Sequence, residues 1–217
     1  MSKAKGHNYI FLALYAFAGL GTEVLYAFLI EPAIYGTSIQ EWTTIQNIIH
    51  WLITCITWGI IAVILIKLSK QKYRFDLFSD SPPMKVWQWL CIFLCVVFML
   101  IISYIDWQGF KIIKEFQSNG SLKFIFQYIY YMFETVLFTL IIVFGQKACE
   151  LWFRKENVPY GGIAVALTWG LGHIMTKGSV ATGLLSALGG FIFGVVYLLV
   201  NRDIKKTYFI LLIMFIM

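Results

Sequence analysis

The strongest constraint on this 217-residue chain is its division into apolar runs of membrane-spanning length separated by short polar stretches. Runs of about 20 apolar residues, enough to cross a hydrocarbon core of about 30 Å, occupy roughly 9–30, 45–66, 86–105 and 124–145. Two further runs, 161–177 and 179–200, meet at a Lys177-Gly178 turn, and a short seventh covers 207–217. Backbone polar groups in lipid find no water, so such runs must close their hydrogen bonds internally as helices. The expected fold is an all-α, polytopic transmembrane bundle of about seven segments, forming one domain over 1–217. The last segment, about 16 Å long as a helix, must stop midway or lean on its neighbours.

Composition agrees. Sixty percent of residues are hydrophobic and only 13% charged, against about a quarter charged in an ordinary soluble domain. The net charge of +6 does not imply nucleic acid, because the basic residues sit in short loops where they encode topology. With the N-terminus on the cytoplasmic side, thirteen of the seventeen Lys and Arg face inward, beginning with Lys3 and Lys5. Only Lys111, Lys114, Lys123 and Lys177 remain outside. The first run continues to Ile30, which favours an uncleaved span over a secretion signal. Glu31-Pro32, Ser81-Pro82-Pro83, Asn119-Gly120-Ser121 and Pro159-Tyr160-Gly161-Gly162 punctuate the runs. In the sixth, Ser186, Gly190 and Gly194 recur every four residues, a pattern that lets helix backbones approach closely.

Ionisable groups inside the runs carry the functional signal, since each costs about 2.5–3.5 kcal/mol at a helix centre on insertion scales. Glu134 sits in the middle of 124–144. Helical spacing places Gln127, Tyr130, Tyr131 and Phe138 on its face, with Thr135 and Thr139 at the flanks. The competing explanation is a protonated acid making one structural hydrogen bond. His173, in Thr168-Trp169-Gly170-Leu171-Gly172-His173, is the second candidate. Counted along antiparallel helices, Glu134 lies about 15 Å from one face and His173 about 18 Å from the other, a match to about one turn. Tyr131, Thr135, Thr139, Trp169 and Thr176 are the expected cavity lining.

Glu23 and His50 read first as packing or cavity groups, with Glu23 a partner for a later histidine. Glu150 and Arg154, four apart, read as a surface ion pair. Cys55, Cys91, Cys95 and Cys149 have no zinc spacing, and three histidines are too few for a multi-histidine metal centre. No His-Glu-x-x-His, Gly-x-Ser-x-Gly or Gly-x-Gly-Asp motif occurs. Neither a metal nor another cofactor is expected. A small-molecule transporter is disfavoured because no repeat halves or paired broken helices are visible.

Residues 124–217 resemble the membrane family of CAAX-prenyl proteases and bacteriocin-processing or immunity proteins, the CPBP or Abi family. Glu134 matches the first glutamate of its Glu-Glu-x-x-x-Arg helix. Trp169-Gly170-Leu171-Gly172-His173 resembles its Phe-x-x-x-His block, 39 residues on, and Gly190-Phe191-Ile192-Phe193-Gly194-Val195-Val196-Tyr197 its Gly-rich helix. Thr135 and Thr139 stand where the family has its second glutamate and its arginine, and the final segment lacks the His-x-x-x-Asn element. The spans within 1–123 add little to the likeness. The resemblance implies an intramembrane peptidase of the bacterial plasma membrane acting on hydrophobic or prenylated peptides. Glu134 would be its base and His173 its oxyanion-binding or water-orienting group. A chain that has lost catalysis would instead bind a peptide, bacteriocin or membrane partner in an immunity or accessory role. The expected surroundings are the lipid bilayer and a hydrophobic partner, not nucleic acid.

Overall fold

The computed structural model describes residues 5–217; Lys3, counted above among the inward charges, lies outside them. Seven helices follow one another: α1 (Gly6–Tyr35), α2 (Thr44–Tyr73), α3 (Val86–Trp107), α4 (Lys111–Phe153), α5 (160–177), α6 (Val180–Leu199) and α7 (Ile204–Ile216). No strand occurs among the described residues. Five helices, α1 to α4 and α6, are long and apolar enough to cross a membrane. Their outward faces stay apolar, with Leu29, Ile56 and Phe93 all exposed. Such side chains suit lipid, whereas a water-soluble surface rarely carries them over a large contiguous area.

α4 is the axis of the bundle. Every residue from Leu137 to Gln146 is buried, so this stretch is covered all round rather than along one stripe. α1, α2, α5 and α7 pack against it. Its first turns form a separate arm, 111–119, because Gly120 takes φ +66° and ψ 172°. That region is essentially glycine's alone, since a Cβ would clash there. Between the runs 86–105 and 124–145 the apolar pattern predicts only a connection; the arm instead folds back against the main limb, 121–153. α7 reaches only about 20 Å and leans on α4 through buried Thr207, Leu211 and Met214.

Two helices contain a π turn, Tyr26–Ile30 in α1 and Ala166–Gly170 in α5. α5 and α6 approach closely because their contacts are glycines. A Cβ on Gly194 would lie 2.2 Å from the Gly162 Cα; on its other side α5 meets α4, where a Cβ on Gly161 would lie 2.2 Å from the Ile142 carbonyl oxygen.

Polar side chains tie the basic end together. The expected Glu150–Arg154 pair does not form. Glu150 accepts from Arg202 at 2.8 and 3.0 Å and from Gln146 at 2.8 Å. Arg154 takes the left-handed position that ends α4, so its side chain no longer stands over the preceding turn. Asp203 caps α7 by accepting from the Lys206 amide, and binds the Lys206 ammonium and the Ser81 hydroxyl. Partial burial works to raise its pKa, but these three donors hold the carboxyl below its usual range, at about 2.

Two predictions follow from this packing. Gly194→Val should lower thermal stability in detergent by about 1–3 kcal/mol or more, as forced overpacking does. Gly21→Ala, where no atom lies within 4 Å of the added Cβ, should be neutral or better. Asp203 has a depressed pKa in the folded state, so its contribution is present above the ordinary carboxyl range and lost as pH falls through it toward 2. An acid melt of Asp203→Ala should therefore lack part of the wild-type loss below about pH 4.

Candidate functional site

The acid of α4 and the histidine of α5 meet through the tryptophan between them. Glu134 is 8% exposed, and its Oε1 accepts the Trp169 indole N–H at 2.8 Å. Trp169 stands inside the π turn of α5. His173, one turn on, lies edge-on to the indole at 4.6 Å between ring centroids. Its Nδ1 is 2.9 Å from the Trp169 carbonyl oxygen. A carbonyl can only accept, so Nδ1 carries the hydrogen and the neutral ring presents Nε2 as an acceptor. Such a ring is suited to orient a water or take its proton. It is not suited to donate to an oxyanion, so the oxyanion role expected for His173 does not fit this tautomer. Among the described residues, neither Glu134 Oε2 nor His173 Nε2 has a side-chain or backbone hydrogen-bond partner.

Aromatic rings wall the site. Phe138 lies 5.0 Å from Trp169 and 5.2 Å from Phe193, stacked on the latter. Phe215 of α7 stands edge-on to both Phe138 and Trp169 at 5.5 Å. The last helix thus brings a phenyl ring, not a polar group, to the site.

The other expected lining residues have different occupations. Thr135 is buried, and its hydroxyl donates to the Tyr131 carbonyl on its own helix at 2.7 Å. Thr139 is buried with no partner for its hydroxyl. Thr176 is exposed in the last turn of α5 and lines nothing buried, because the helix has by then run past the core. Tyr131 shares Glu134's helix face but turns its hydroxyl away, donating to Glu115 Oε1 at 2.5 Å.

Glu115 and Lys111, both buried on the arm, were missed because the apolar pattern predicts only a connection there. Glu115 also accepts from Gln127 and Tyr128. The Lys111 ammonium donates to the Phe215 carbonyl at 2.7 Å and lies 4.4–4.5 Å from the Phe215 and Tyr131 rings. The available signal was the Lys-x-x-x-Glu spacing, which puts both charges on one helix face. Glu23 does have a later histidine as partner, His50 of α2, 3.8 Å away.

No family model, curated protein or solved structure matches the chain, so its likeness to the CAAX-prenyl protease family rests on the quoted residues alone.

Trp169→Phe keeps the ring stack and removes only the donor to Glu134. The change should cost about 1–3 kcal/mol, the penalty for stranding a buried acceptor. In a Glu134→Gln background, where no full charge needs the indole, the cost should shrink. A thermal-denaturation double-mutant cycle checks both values.

Proposed function

We propose that the chain is a membrane-embedded hydrolase of the glutamate/histidine type, acting on hydrophobic or prenylated peptides, with its basic end in the cytoplasm. The observation that carries this reading is that Glu134 and His173, joined through Trp169, each keep one uncommitted acceptor atom. A water placed between Oε2 and Nε2 would donate one hydrogen to each and turn a lone pair outward. On attack at a peptide carbonyl, the new C–O bond forms as one water O–H bond breaks and its proton passes to Glu134. The same carboxyl then returns that proton to the leaving amine as the C–N bond breaks. The π turn that presents Trp169 supports a functional role, since such turns concentrate at functional sites.

Phe215 favours a second reading. Developing charge on the peptide oxygen needs a donor; α7 holds no histidine or asparagine to supply one, and it presents the ring of Phe215 instead. A bundle that binds a hydrophobic peptide in the Phe138, Trp169, Phe193 and Phe215 box without cutting it accounts for that substitution.

The two readings separate on Glu134→Gln in purified, reconstituted protein offered a fluorescently labelled farnesylated peptide. Hydrolysis predicts cleavage by the wild type and at least a hundredfold loss in the variant, in line with removal of a general base. Equal cleavage by both proteins removes Glu134 from catalysis. Retained peptide binding with no cleavage by either selects the binding reading.

A further inference from the structure

A second buried acid–histidine group, independent of Glu134, stands where α1 meets α2. His50 is 3% exposed and Glu31 4%. The His50 Nδ1 lies 2.5 Å from Glu31 Oε2, and its Nε2 lies 3.8 Å from Glu23 Oε1. The carboxylates therefore address opposite nitrogens of one ring. A single metal ion binds one imidazole nitrogen, so this arrangement does not converge on a common coordination point. It does suit a proton, which enters a ring at one nitrogen and leaves from the other.

The surroundings agree. Glu31 Oε1 is buried and has no hydrogen-bond partner, an unsatisfied acceptor of a kind that ordinary packing avoids. The Trp42 ring covers His50 at 5.3 Å. Other groups bearing on the triad are Tyr35, whose hydroxyl senses the Glu31 charge, and Tyr130 of α4, beside Glu23. Glu23 is the half-buried member, with its side chain 32% exposed. The π turn Tyr26–Ile30 ends immediately before Glu31. It offsets Glu31 from the position that an unbroken α-helix carrying Glu23 would give it.

We propose that Glu31, His50 and Glu23 form a proton-transfer site, passing a proton between buried Glu31 and the half-buried Glu23 at the end of the bundle remote from the basic loops. The Glu31 O–H bond breaks as a bond forms at His50 Nδ1. The Nε2–H bond then breaks as Glu23 takes the proton, its side chain closing the 3.8 Å gap by a small rotamer change. One passage leaves the neutral ring with its hydrogen on Nδ1; the starting tautomer returns by the reverse passage, in which Nε2 takes a proton and Nδ1 releases one to Glu31. No oxidant or second reactant is consumed.

The test reads the ring directly. In a His7→Gln, His173→Gln chain, His50 is the sole histidine, and ¹⁵N NMR in nanodiscs separates its two tautomers from the imidazolium. If that chain folds poorly, subtraction of a His50→Gln spectrum from the wild type isolates the same signals. Between about pH 5 and 9, the range over which histidines commonly titrate, both nitrogens should carry the proton part of the time. Glu23→Gln should lock the hydrogen on Nδ1. A ring already locked on Nδ1 and unmoved by Glu23→Gln overturns the proposal, as does an imidazolium unchanged over the whole range. Peptide cleavage plays no part in the measurement, so its outcome is separate from the hydrolase reading.

Discussion

The enclosure of α4 is the constraint on which the other helices depend. A helix covered all round from Leu137 to Gln146 cannot present charge to water, so its longer polar side chains reach partners on neighbouring elements, while Thr135 bonds within its own helix. Gln146 holds the Gly161 amide and the Val158 carbonyl at the start of α5. Glu134, three turns earlier, takes the Trp169 indole of the same helix. Tyr131 and Gln127 bind Glu115 on the arm. These contacts run nearly the length of α4 and fix the heights of α5 and the arm against it. An unpaired polar group in a dry interior costs more than the net worth of the bond it lacks, which makes such contacts selective for one register.

Hydropathy made the helices legible. All seven apolar runs correspond to helices, and the largest shifts at their C-terminal ends are about two turns, where α2 runs on to Tyr73 and α4 to Phe153. Glu134 was visible for the same reason, as a carboxyl far from either end of its run. Its partner was half visible: depth counting brought α5 to the right level, and Trp169 entered as lining, but counting cannot tell an indole donor from an imidazole one turn away.

What stayed hidden has a common cause. Lys111, Glu115 and Asn119 lower the local hydropathy of a segment that is nevertheless helical and partly buried, so a reading based on apolar content gives only a connection there. Glu31 stood next to Pro32 and looked like the end of a span, although α1 continues past that proline to Tyr35, just after the π turn Tyr26–Ile30. Glu150 had a basic residue four positions on, while its actual partner, Arg202, lies 52 residues away. Contacts between distant segments leave no trace in local spacing.

Both buried acid–histidine groups stand at a π turn, and each such turn holds one residue more than an α-helix would use. A surplus residue shifts everything beyond it by about 100° around the axis. His173 and Glu31 therefore owe their facing direction to a single extra amino acid upstream. Loss of one residue from Ala166–Gly170 would leave α5 just as apolar and nearly as long, yet would swing its imidazole toward a different neighbour. In this bundle the length of a helix and the aim of its polar side chains are separate variables, and an insertion or deletion can change the second while sparing the first.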